Sequence, residues 1–389
     1  MATTRLAARF MAAAAIATAA TASFAAPAYR VSSMQSAADG GMPGGRLAVA
    51  ADGSLVGTTE NGGAGGHGTV YRVDTHGGIT VLHAFNGADG QLVIAGVTAG
   101  VDGWFYGTTI WGAANGLGGV YRLALDGRFE LVHSFDDAAD HGALYPYSAL
   151  TAGPDGSLYG TTVLSSGYPQ HNGTLFKLTP DGKFKVIYVF GTNARNPYAG
   201  VTFGADGRLY GVTSSDGRAD CGVLYSIATD GTDFRIAHRF DHLVDGCQPM
   251  ATLVRDADGT LVGTAQYGGP LGAVGTIYRF DPATQAVAVL HVFHDDDPIG
   301  TVPVGGLARN AAGTFYGATT FGSTSGHGAL FSMAGDGSPQ LLHAFAGGTG
   351  DGDDAATAPV LTPGGGLAGT TLAGGATGDG TVYRLPHAQ

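Results

Sequence analysis

Seven residues in four loop regions carry the chemistry a sequence can offer here: His141, Tyr145, Tyr168, His171, Arg195, Tyr198 and Arg218. A histidine and a tyrosine can move protons as base and acid, and arginine can neutralise a carboxylate as negative charge builds beside it. That set suits elimination from a uronate, with His171 or His141 as base and Tyr145 or Tyr168 as acid. Arg195 and Arg218 would then hold the acid group. The competing reading is ordinary polar surface, because sequence places these residues only to a loop.

Three other groups have candidate roles. Trp111, Tyr267 and Phe321 stand at equivalent places in a repeat and offer aromatic faces to a sugar or to a neighbouring element. Asp295, Asp296 and Asp297, with Asp351, Asp353 and Asp354, form two acidic runs whose hard oxygens could hold Ca²⁺; a solvated acidic rim is the alternative, and no cofactor is required. Cys221 and Cys247 are the only two cysteines and are expected to form a disulfide. The recurring histidines His83, His133, His238, His291 and His343 lie on different units, which favours packing over a shared metal. Residues 63–68 (GAGGHG) match a dinucleotide fingerprint but join two strands, so no helix N-terminus is available for a pyrophosphate.

The elements that must position these groups are strands. The 68 glycines, and acids that are almost all aspartate (Glu60 and Glu130 are the glutamates), describe a turn-rich β protein, because the short Asp side chain bonds its own backbone in turns. Residues 1–26 read as a secretory signal: Arg5 and Arg9, an alanine-rich apolar run, then Ser23 and Ala25 before the cut. Its removal takes the net charge from −12 to −14, which argues against nucleic acid and anionic membranes. No later apolar run is long enough to span a membrane as a helix. The expected product is a secreted chain, periplasmic or extracellular, and a monomer.

The word DGSLYGTT (155–162) recurs as DGSLVGTT (52–59), DGWFYGTT (102–109), DGRLYGVT (206–213) and DGTLVGTA (258–265), with weaker copies at 312–319 and 365–371. Its glycine falls at 57, 107, 160, 211, 263, 317 and 369, a period of about 52 residues. Each unit adds a word like GTVYRV (68–73) and one like VLHAF (81–85), preceded by a short apolar run. The four runs become strands a, b, c and d of a meander, and seven such meanders predict an all-β, seven-bladed β-propeller. The motif glycine in strand b is expected to admit a side chain from a neighbouring sheet. Strand d is missing after the last unit, and residues 29–34 are β-compatible. They are expected to pair with residues 381–385 as the outer strand of the last blade, so that residues 27–389 form one domain.

With LYGTT, GTVYRL and LHSF as shared words, the chain resembles the GloVer repeat of bacterial "choice-of-anchor" tandem-repeat proteins over essentially its whole mature length. The resemblance implies a secreted or surface propeller. The chain ends in PHAQ (386–389), which argues against the anchor that the family's name implies.

In such a ring the a–b and c–d turns share one face and are uniform Asp-Gly hairpins. The b–c loops and d–a crossovers share the other, and vary in length and chemistry, as positioned binding loops do. A proline opens strand a in five units (Pro43, Pro146, Pro197, Pro249, Pro303), and the residues before it, such as Tyr145, Asn196 and Gln248, are expected at the mouth of the axial channel. The expected ligand-binding set is therefore Trp111, Tyr145, Asn196, Tyr198, Gln248, Tyr267 and Phe321. The reading that follows is an extracellular recognition scaffold for a glycan or protein, with a polysaccharide lyase on an acidic glycan as the alternative.

Overall fold

The computed structural model describes residues 29–136, 138–165, 172–216 and 220–386; the expected signal segment, Tyr168, His171 and Arg218 lie outside them. The repeated words become seven four-stranded antiparallel sheets, six of them in sequence order a-b-c-d. The first is Ala48–Val49, Leu55–Thr59, Thr69–Val73 and Ile79–Ala84; the fourth is Thr202–Phe203, Leu209–Thr213, Val223–Ile227 and Arg235–Arg239. The ring closes as the strand count required. Arg30–Ser33 pairs with Thr381–Leu385, setting Val31 opposite Tyr383 and Ser33 opposite Thr381.

Burial explains why strands b and c are apolar on both faces. Each lies between two other blades, and its core residues join clusters that span adjacent sheets. One cluster packs Val56 and Phe85 of the first blade on Phe105 and Tyr121 of the second. Another packs Leu47 and Tyr71 on Val360 and Val382, joining the first blade to the last.

The motif glycine answers to a partner on its own sheet. Gly57 lies directly opposite Tyr71 on strand c, and a Cβ on Gly57 would stand 2.4 Å from the Tyr71 hydroxyl. The same clash would occur at Gly160 with Phe176 (2.3 Å) and at Gly369 with Tyr383 (2.2 Å). The expectation of a side chain from a neighbouring sheet is thereby corrected. Strand c lays its central aromatic ring flat across strand b, and only glycine leaves room.

The paired threonines after the glycine are also structural. Thr58 and Thr161 donate to the carbonyls of Ala95 and Ala199 on the next blade, at 3.0 and 2.8 Å. Their successors Thr59 and Thr162 meet Thr69 and Thr174 on strand c at 3.0 and 2.8 Å. The Asp-Gly turns behave as expected: Asp52 accepts from the Ser54 N–H at 2.9 Å, and Gly53 takes a φ of 79°.

Strand d joins blades through its histidines. His83 stacks on Phe129 of the next blade at 3.7 Å, His133 on Phe184 at 3.9 Å, and His343 on Tyr29 at 3.8 Å. Each also meets a crossover carboxylate through Nε2: His83 with Asp89 (3.0 Å), His133 with Asp140 (2.7 Å), His238 with Asp245 (2.6 Å), His291 with Asp297 (2.9 Å) and His343 with Asp351 (2.9 Å). A carboxylate only accepts, so Nε2 carries the proton. The packing role is confirmed, and the aspartate partner is the part that sequence reading did not supply.

Candidate binding face and axial channel

On the variable face, a short backbone bridge clips each b–c loop to the preceding crossover. Trp111 pairs with Gln91, Tyr267 with Cys247, and Phe321 with Thr301. The bridges hold the three aromatic positions on rigid backbone, and their side chains then diverge. Trp111 is half-buried and packs edge-to-face on Tyr145 of the next blade at 4.5 Å. Tyr267 and Phe321, on adjacent blades, are 44% and 55% exposed. The Cys221–Cys247 disulfide is present beside Tyr267 and ties the fourth blade's b–c loop to the crossover that follows.

The residue before each crossover turn into strand a takes a left-handed conformation, with φ between 55° and 62° at Met42, Leu92, Tyr145, Asn196, Gln248, Val302 and Asp354. Its carbonyl accepts an N–H from the b–c loop, as Asn196 does from Ser214 at 3.1 Å and Gln248 from Gln266 at 3.3 Å. Tyr145, Asn196 and Gln248, which take this bend, are not among the residues lining the channel, against the expectation. Tyr145 packs on Trp111, and the Asn196 amide donates to the Val163 carbonyl at 3.3 Å. The residues after the proline, Tyr147, Tyr198 and Met250, line the channel instead.

The channel holds ≈ 930 Å³. Tyr147 and Tyr198 meet edge-to-face at 5.2 Å at its loop-face mouth. Glu60 lines the same mouth, its carboxyl pushed above the ordinary range by burial and then by the charge of Asp354. Asp354 is itself raised by burial and by Asp353. The other charged lining residues are Arg46, Arg255 and Arg309, so cations outnumber acids in the lumen of an otherwise acidic chain. Arg309 is engaged by Asp256 at 2.7 Å, and Arg255 donates to the Gly204 carbonyl at 3.2 Å.

Among the described members of the proton-moving set, His141, Tyr145, Arg195 and Tyr198 each have other surroundings and do not pair with one another. His141 is exposed on its crossover. Arg195 is held by Asp216 and, at 3.2 Å, by Asp220. Of the aspartates, Asp297 is bound to His291 and Asp351 to His343 and Tyr29, while Asp353 meets His327 Nδ1 at 3.0 Å; Asp295 and Asp296 are exposed. Among the described residues the one convergent set of potential metal ligands is Cys221, His242 and Cys247, whose cysteines are disulfide-bonded. Sequence reading missed Arg46, although comparing the seven repeats position by position would have shown it.

Such a ring of seven meanders with one uniform and one variable loop face defines a β-propeller of tandem repeats. The chain belongs to the Gloeobacter/Verrucomicrobia repeat family, whose model matches residues 18–202 and 165–311. No protein of curated function matches the sequence. The fold is similar to the extracellular domain of a hybrid two-component system from B. thetaiotaomicron (TM-score 0.60, 10% identity), covering 91% of this chain and 40% of that one. It is also similar to an oligogalacturonate lyase in complex with manganese (TM-score 0.59, 15% identity, 93% and 97% covered) and to the oligogalacturonate lyase of Vibrio parahaemolyticus (TM-score 0.57, 14% identity, 89% and 89% covered). At these identities the likeness is one of fold. Among the described residues no helix is long and apolar enough to cross a membrane.

Proposed function

We propose that the protein is an exported recognition scaffold whose b–c and d–a loops bind an extracellular glycan or protein. The observation that carries this reading is the pair Tyr267 and Phe321, large rings exposed on neighbouring blades. Each sits on backbone fixed by a bridge to the preceding crossover. An exposed ring on rigid backbone adds contact area at little entropic cost on binding. The disulfide beside Tyr267 is consistent with export.

The test is a binding screen of the full chain against glycan arrays and extracellular matrix proteins, repeated with the Tyr267→Ala/Phe321→Ala double variant. Binding that is lost in the variant, with melting unchanged, supports the scaffold; binding indifferent to both rings overturns it. The lyase alternative has less support, since the guanidinium of Arg195 is already taken by Asp216 and Asp220. Unsaturated product absorbing in the ultraviolet, made from a uronate polymer and lost in His141→Ala, would establish it. Calcium at Asp295, Asp296 and Asp297 is a separate proposal, supported by two exposed carboxylates in sequence. A melting temperature indifferent to millimolar calcium would retire it.

A further inference from the structure

Of the three arginines lining the axial channel, Arg46 is the one to which no described residue supplies an acceptor. It lies eleven residues before the motif glycine of the first blade, and the same position in the other six holds Gly96, Ala149, Gly200, Thr252, Gly306 and Ala358. Six small side chains and one long cation share this level of the ring. Packing accounts for some of the small ones: a Cβ on Gly96 would stand 2.0 Å from the Arg46 carbonyl. Packing does not account for the cation: the adjacent Leu47 is buried in the core, while Arg46 is exposed.

No hydrogen bond or ion pair from another described residue reaches the Arg46 guanidinium, unlike that of Arg255 or Arg309. The side chain is exposed to the lumen, yet the lumen itself is enclosed by the inner strands. Desolvation therefore lowers its pKa, with no acid offsetting the effect. A guanidinium that is exposed to the lumen and has no acceptor among the described residues is free to pair with an anion that enters the channel.

We propose that Arg46 binds the carboxylate of a small sugar acid that enters the channel past Tyr147 and Tyr198. The planar fork of one arginine matches one carboxylate in two parallel hydrogen bonds. The mouth offers aromatic faces and the carboxyl of Glu60 for the hydroxylated body. A space of ≈ 930 Å³ is of the size that small ligands occupy. A net charge of −12 disfavours multiply charged anions relative to a monocarboxylate. This site goes beyond the loop-face reading and needs neither Tyr267 nor Phe321.

Isothermal titration calorimetry on the full chain tests it with D-glucuronate, D-glucose and inorganic phosphate as probes. Glucuronate should bind, glucose should not, and phosphate should bind at least tenfold more weakly. Arg46→Gln should reduce glucuronate affinity at least tenfold while melting at the same temperature or higher, because no internal contact is lost. Should that variant fail to fold, Arg46→Lys keeps the charge without the fork and should still weaken glucuronate several-fold. The Tyr267→Ala/Phe321→Ala variant should bind glucuronate as the wild type does, so failure at the loop face and failure in the channel are told apart. The proposal is overturned by the absence of glucuronate binding, by affinity unchanged in both Arg46 variants, by phosphate binding equally well, or by loss of binding in the loop-face variant.

Discussion

Asp351 should be the clasp of the ring, and its contribution should be visible as a pH effect. Its carboxylate accepts from Tyr29, beside the closing strand, at 2.6 Å, from His343 at 2.9 Å, and from the N–H groups of Ala346 and Gly352 at 2.9 and 2.7 Å. Burial alone would raise its pKa, but the bonds from His343, Tyr29, Ala346 and Gly352 prevail and bring it down to about 2. A depressed carboxylate stabilises the fold fully above its unfolded value near 3.8, and that stability is lost as pH falls through about 2. The difference corresponds to about 2.5 kcal/mol. Asp351→Asn keeps the size and removes the titration. Urea unfolding of wild type and variant at pH 6, 4, 3 and 2 should therefore show a stability gap that is widest at pH 6 and closes by about 2 kcal/mol towards pH 2. The other turn aspartates contribute equally to both proteins and cancel. A gap of constant size across this range, or none at pH 6, would refute the argument.

The hydroxyls of Tyr71, Tyr121, Tyr225, Tyr278 and Tyr383 are buried without a partner among the described residues, and Phe176 and Phe331 fill the same position in two blades. Tyr225→Phe should thus leave stability unchanged or raise it by up to about 1 kcal/mol, read from the denaturation midpoint. Gly160→Ala should do the opposite, costing about 1–3 kcal/mol, because its Cβ would lie 2.3 Å from the Phe176 ring and 2.6 Å from Leu150. Removing the disulfide with Cys221→Ser/Cys247→Ser opens a loop of 26 residues and should cost roughly 3–4 kcal/mol by chain entropy, measured against the oxidised protein; an unchanged midpoint would contradict it.

What could be read in advance was what repeats. Seven copies of LYGTT and VYRL specify strands b and c, the missing seventh LHSF points to Arg30–Ser33, and two cysteines on one loop face leave a single pairing. What failed depended on orientation rather than periodicity. A glycine in strand b announces that something comes close, but not that it is Tyr71 from the adjacent strand rather than a side chain from the next sheet. With a left-handed turn at Tyr145, Asn196 and Gln248, the residue after the proline lines the channel, and nothing in the residue types announces that turn: tyrosine and glutamine rarely choose that conformation. The His–Asp pairs were hidden because their spacing varies from six to eight residues with the length of the crossover.

A ring of near-identical units also separates structural residues from candidate functional ones by a simple physical criterion. A residue that recurs in blade after blade is accounted for by the blade: the motif glycine by the ring laid across it, the second threonine by its partner on strand c, the histidine by its aspartate. A residue that occurs once needs its own account. Arg195 has one, since Asp216 and Asp220 neutralise it. Tyr267 and Phe321 lack a neighbour to cover them, and Arg46 lacks an acceptor. The first pair leaves apolar surface in water and Arg46 presents a cation without a counter-charge, and a bound partner would cover the one and pair with the other. They lie at different depths of the same face, the rings on its loops and the cation below its mouth. One ligand large enough to cover the loops and thread its acidic end into the channel would satisfy both, whereas a small sugar acid satisfies only Arg46. The two sets of variants therefore report on separable contacts, and additive losses on a longer acidic glycan would mark them as parts of one site.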